Sequence, residues 1–83
     1  MTPQDIQALI AQGIEGATVL VEGDGGKYQA TVVSDRFAGL SPVKKQQLVY
    51  ATLGGHIASG AIHAISMQTY TPEEWEKKRR LGF

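Results

Sequence analysis

Apolar positions along this chain change their spacing at a few punctuating residues, and those changes predict the elements. Near the N-terminus Ile6, Leu9 and Ile10 follow the i, i+3, i+4 rule of one helical face. Three prolines each follow a hydroxyl residue directly, in Thr2-Pro3, Ser41-Pro42 and Thr71-Pro72. That pair opens helices: the hydroxyl accepts from free N–H groups of the first turn, and proline fills a first position that needs no donor. Asp5 and Glu74 lie three residues after Thr2 and Thr71, where a carboxylate bonds back to the cap and meets the positive helix end. The predicted helices are Pro3 to about Gln12 with Gly13 as its stop, a longer one from Pro42, and Pro72 to about Arg80.

Between the first two helices, Ala17–Glu22 and Lys27–Ser34 are rich in Thr, Val, Tyr and Leu and flank Gly23-Asp24-Gly25-Gly26, which predicts a hairpin. Ile62–Tyr70 reads as a third strand after a helix stop at Gly60. The order is α-β-β-α-β-α. A right-handed crossover through the middle helix lays the third strand parallel to the second, giving an α/β fold with a three-stranded mixed sheet and helices packed on one face. On a helical wheel of the middle helix, Val43, Val49, Tyr50, Leu53 and Ile57 share one arc interrupted only by Gln46, and this arc is expected to face the core. Lys44, Lys45, Leu48, Thr52 and His56 fall opposite, so Leu48 stands as a lone apolar residue on a polar face and leans toward a protein interface.

Length and charge narrow the class. The 83 residues make a single domain, residues 1–83, with one small core, and 42% apolar with 19% charged residues is a globular composition. The chain has no cysteine, which removes disulfides, thiolate nucleophiles and thiolate metal ligands together. No Asp, Glu, Lys or Arg occurs from Gln46 to Pro72, yet Gln46, Gln47, Gly54, Gly55 and His56 make this stretch too polar and too broken for a membrane span. MTPQDIQALI lacks the basic and apolar segments of a secretory signal, so a cytoplasmic protein is expected. The net charge of zero hides an asymmetry. Residues 1–35 hold five acids and one base, whereas residues 36–83 hold seven bases and three acids, enough for a basic face.

Catalytic templates do not fit. There is no Gly-x-Ser-x-Gly elbow and no cysteine, and the acids are scattered over helix starts and loops, so the residues point away from an enzyme and a small-molecule substrate. The Gly23–Lys27 loop lacks the strand-to-helix context of a phosphate-binding loop and reads as a hairpin tip. His63, at the opening of the third strand, is either an inert structural histidine or an imidazole offered to a metal. Arg36, Lys44 and Lys45 are candidates to contact DNA phosphates, together with the basic run Lys77–Arg80.

Val33-Ser34-Asp35-Arg36-Phe37-x-Gly39-Leu40-Ser41, the helix start Val43-Lys44-Lys45-Gln46-Gln47-x-Val49-Tyr50, Ile62-His63-Ala64-x-Ser66 and Tyr70-Thr71-Pro72-Glu73-Glu74-Trp75 together resemble the BolA family, in particular its IbaG-like bacterial branch. The resemblance spans roughly residues 17–76 and implies an α/β fold like that of class II KH domains. It further implies a non-enzymatic partner of monothiol glutaredoxins that shares a bridging [2Fe–2S] cluster or forms an apo complex, in cluster trafficking and iron homeostasis. The family's strand-opening histidine ligand falls on His63. The family's second, hairpin-loop ligand is a cysteine or histidine, but the corresponding positions here carry Asp24 and Lys27, so Asp24 is the loop's only substitute and an ill-matched one, a hard carboxylate for soft iron–sulfur chemistry. The family also contains transcriptional regulators of stress and morphology genes, which makes DNA the alternative partner for Arg36, Lys44 and Lys45.

Overall fold

A computed structural model describes residues 1–81. The elements run α1 (Pro3–Gly13), β1 (Thr18–Asp24), β2 (Lys27–Val33), a 3-10 turn at Asp35–Phe37, α2 (Pro42–Ala58), β3 (Ala64–Tyr70) and α3 (Pro72–Arg80). All three hydroxyl-proline pairs open helices as expected. The side chains of Thr2, Ser41 and Thr71 accept from the N–H groups of Asp5, Lys44 and Glu74. The first and last are full capping boxes, with Asp5 and Glu74 bonding back to the N–H groups of Thr2 and Thr71.

β1 and β2 pair antiparallel from Thr18↔Val33 to Asp24↔Lys27. The strands therefore run further into the glycine-rich segment than its composition suggests, and only Gly25 and Gly26 turn the corner. Their φ angles of 58° and 83° are those of the mirror-image hairpin turn, whose twist matches the strands it joins. β2 then pairs parallel with β3, Lys27↔Ala64 through Val33↔Tyr70, which makes β2 the central strand. The mixed sheet and the crossover through α2 are as anticipated.

The core lies between one sheet face and the two long helices. Val19, Tyr28, Ala30 and Val32 point to it from the sheet, while Ile6, Ile10 and Ile14 from the first helix and its exit meet Val49 and Leu53 from α2. Phe37, fully buried in the 3-10 turn, and Ile62, just ahead of β3, complete it. The third strand starts at Ala64, so Ile62 belongs to the approach and not to the ladder. The other sheet face carries Leu20, Gln29, Thr31, Ser66 and Gln68 and is open to solvent.

The face that α2 buries differs from the one its hydrophobic arc predicts. Val49 and Leu53 are buried, but Val43, Tyr50 and Ile57 are 62%, 39% and 36% exposed. The half-buried flank is the one carrying Lys45, Leu48, Thr52 and His56, and Leu48 packs against the core instead of standing alone on the surface. The reason is α1. A Cβ on Gly13 would collide with the Thr52 side chain, so the missing side chain lets the helices approach along the Thr52 flank. Thr52 tolerates this burial because its hydroxyl donates to the Val49 carbonyl at 2.7 Å. Gly13, the last residue of α1, is thus both its end, as expected, and its contact point with α2.

α3 is held at the far end of β3. Tyr70 and Trp75 pack with ring centroids 5.4 Å apart, and the Lys78 ammonium lies 5.1 Å from the Tyr70 ring centroid and donates to its hydroxyl at 2.7 Å.

Leu53→Ala should destabilise the domain by about 2–5 kcal/mol in urea unfolding, whereas Val43→Ala, on the exposed flank, should stay within about 0.5 kcal/mol. The capping hydrogen bond from the Thr71 N–H, helped by the Lys45 ammonium, holds the Glu74 carboxyl below its ordinary 4.5, and the Thr2 N–H does the same for Asp5 below 3.8. Because both are lowered on folding, the stability they confer is fully present above their ordinary values and is lost as pH falls below these and through the lowered native ones. Thr71→Ala should cost about 1 kcal/mol at pH 7 and flatten the acid limb of a melting-temperature profile.

Candidate functional site at the hairpin end of the sheet

The parallel crossover returns the chain to the end of the sheet where the β1–β2 hairpin turns, and it brings His63 there. Two consecutive N–H groups, those of His63 and Ala64, donate to the Gly26 carbonyl at 2.8 and 3.0 Å. This anchors the start of β3 to the turn and leaves the His63 residue exposed. Gly26 lies so close to the imidazole that a Cβ on it would collide with His63 Cδ2, and its positive φ already excludes most side chains. Gly23, with φ 135°, packs in the same way against the Lys27 carbonyl and the Tyr28 backbone. The turn is therefore a hydrogen-bonded platform beneath His63.

Asp24 and Lys27 are directly opposed at the last rung of the hairpin and both are exposed. A shallow groove on the open sheet face reaches this end between Glu22, Lys27, Gln29, Ala64 and Ser66. Among the described residues no cluster of three or more His, Cys, Asp or Glu could hold a metal ion. This end of the sheet offers one imidazole, that of His63, with the Glu22 and Asp24 carboxylates on β1, and the chain has no thiolate. Iron–sulfur clusters are held mainly by cysteine thiolates, with imidazole an accepted substitute. This donor set fits a cluster shared with a thiol-bearing partner and does not fit a resident one.

The basic candidates sit at the other end. Arg36 is in the 3-10 turn after β2 and Lys44 is in the first turn of α2, both exposed. Lys45 is not equivalent to them: its ammonium lies 3.7 Å from the Glu74 carboxylate with its side chain only 15% exposed, so it ties α2 to α3. In the tail, Lys78 is folded over Tyr70 and Arg79 lies 3.7 Å from Glu76. The length of β3, seven residues at about 3.3 Å each, puts roughly 23 Å between this end and His63. Charge composition alone does not reveal that separation, nor the platform role of Gly26; the Gly-Gly pair in the hairpin was the available signal.

The profile of the family described as BolA-like protein matches residues 11–74. The chain belongs to the BolA family. It is 42% identical to the acid stress protein IbaG of Escherichia coli strain K12 over 82 residues, 99% of this chain and 98% of that one. A solved BolA homologue from Coxiella burnetii superposes with a TM-score of 0.83 at 40% identity, covering 92% of this chain and 97% of the other. A third relative, the DNA-binding transcriptional regulator BolA of Vibrio cholerae, is 46% identical over 55 residues, 66% of this chain and 51% of its own. The three helices and mixed sheet are those of BolA structures, and the resemblance read from Val33–Ser41 and Ile62–Ser66 is thereby upheld. Among the described residues no helix of this BolA-like chain is long and apolar enough to cross a membrane.

Gly26→Ala should displace the His63 ring and cost about 1–3 kcal/mol through strain at a positive φ. The His63 imidazole resonances should shift in two-dimensional NMR spectra while those of His56, on α2, stay in place.

Proposed function

We propose that this BolA-family protein is a non-catalytic adaptor that docks a monothiol glutaredoxin through the hairpin end of its sheet and contributes the His63 imidazole to a shared [2Fe–2S] site. The observation that carries this reading is the exposed His63 held on the hairpin turn by the hydrogen bonds that its own N–H and that of Ala64 give to the Gly26 carbonyl. Shared between the two proteins, the cluster would supply a labile, redox-active iron–sulfur unit for transfer. The chain's own part is to present one imidazole in a set direction, with β3 behind it as support. The partner must bring the thiolates, because this chain has none. Asp24 is a weak candidate for a second ligand, since a hard carboxylate suits iron–sulfur chemistry poorly. The protein acts in the cytoplasm on this reading, with partner binding tuning cluster stability and no reaction of its own.

A second reading, DNA binding by the opposite end, is favoured by the Vibrio cholerae relative and by the exposure of Arg36 and Lys44. With Lys45 engaged by Glu74, contacts from Arg36 and Lys44 alone would give a shallow salt dependence, a slope near −2 in log–log form, which Lys77 and Arg80 would steepen if they also reach phosphates.

Anaerobic cluster reconstitution with a monothiol glutaredoxin should yield a heterocomplex whose visible absorption and circular dichroism differ from those of the glutaredoxin alone. His63→Ala should abolish that difference, and Asp24→Ala should leave it unchanged. A complex with no spectral change would mean docking without ligation, and absence of any complex on size-exclusion chromatography would defeat the adaptor reading. For DNA, Arg36→Ala with Lys44→Ala should weaken binding and reduce the salt slope while His63→Ala has no effect.

A further inference from the structure

The sheet has two outer edges and they are protected very differently. β1 carries Glu22 and Asp24 and is distorted at Gly23, the charged and irregular features that keep an edge from pairing with another chain. β3 has none of these. Its seven residues, Ala64–Tyr70, include no charge, no proline and no residue with positive φ. In a parallel ladder a residue turns both its N–H and its C=O to the same neighbour. The Ala64 N–H donates to Gly26, and the Tyr70 carbonyl accepts from the Ser34 N–H, so Ala64, Ser66, Gln68 and Tyr70 face β2. Ile65, Met67 and Thr69 therefore direct their backbone donors and acceptors outward.

Above this edge lies the apolar flank of α2 that the core leaves uncovered. α1 occupies the Thr52 side of α2, so Val43, Tyr50 and Ile57 are turned the other way, away from α1 on the helix that meets β3. Helix α2 runs antiparallel to β3, which brings Ile57 toward the start of the strand and Val43 toward its end. The helix flank and the strand edge make one surface, drawn largely from the Gln46–Pro72 stretch that has no acidic or basic residue.

We propose that this surface is a self-association site, in which the β3 edges of two copies pair antiparallel about a two-fold axis at Met67 and join two three-stranded sheets into one. Outward-facing backbone groups in this pattern are complementary only to another extended strand. A second copy satisfies them in register: Met67 opposes Met67 of the other copy, and Ile65 opposes Thr69. The same axis sets the two Val43–Tyr50–Ile57 flanks against each other, apolar on apolar, with no like-charge conflict because the surface carries no charge. A charged peptide finds no counter-charge here, which is why a second copy is favoured. The same register brings Thr71 of the other copy opposite His63, so the seam ends beside that imidazole, but its test needs no glutaredoxin and the two readings fail independently.

Sedimentation velocity of the protein alone should show monomer near about 10 µM and a rise toward twice the monomer mass near about 1 mM, the range for a small interface. Amide hydrogen exchange followed by NMR should show Ile65, Met67 and Thr69 exchanging freely at the low concentration and at least tenfold more slowly at the high one. Thr69→Pro, which removes an outward N–H and no internal bond, and Tyr50→Glu on the helix flank should each hold the protein monomeric with its circular dichroism unchanged. A protein that stays monomeric at the high concentration overturns the proposal. So does a dimer in which these three amides still exchange freely, or protection that appears only when another protein is added.

Discussion

The carbonyl of Gly26 accepts hydrogen bonds from both His63 and Ala64, and the position of everything after α2 follows from that bifurcated contact. It starts the parallel ladder and sets its register. Because side chains alternate between faces, a slip of one residue would turn Ile65 and Met67 to the open face and remove them from the core. The same slip would carry His63 off the turn. Gly26 meets this demand twice, with a carbonyl positioned by a positive φ and with a missing side chain where the imidazole lies.

The crossover that makes the ladder parallel also divides the surface. Helix α2 leaves the sheet at the end where Arg36 and Lys44 are exposed and returns at the end where the hairpin and His63 meet. A protein of this size can therefore present an imidazole and a cationic patch to different partners without overlap. The basic end is narrower than its count of lysines and arginines suggests. Lys45 and Lys78 are spent on holding α3 in place, through Glu74 and Tyr70, and Arg79 pairs with Glu76 within α3 itself.

The contact between Gly13 and Thr52 has a wider reach than its size implies. By letting α1 close on one flank of α2, it leaves the more apolar flank outside. The outcome is a helix whose exposed side is chemically suited to burial, lying above a strand edge with no charge to guard it.

Most of the architecture was legible in the chain because it rests on short-range chemistry. A hydroxyl before proline opens a helix through bonds to its own first turn, two adjacent glycines reverse a hairpin, and β-branched runs extend, whatever surrounds them. Three helices and the hairpin followed from such signals, the parallel third strand followed from the handedness of the crossover, and His63 was placed at the mouth of β3. The face that α2 buries was not legible, because a hydrophobic arc reports which residues could be buried and not which neighbour arrives. That choice was made by α1, through a glycine distant in sequence from the threonine it meets. The pairing of Lys45 with Glu74 and the platform that Gly26 forms under His63 are of the same kind. The sequence by itself determined the elements and their order, since these depend on neighbours along the chain; only the tertiary structure decided which surfaces they spend on each other and which they leave free.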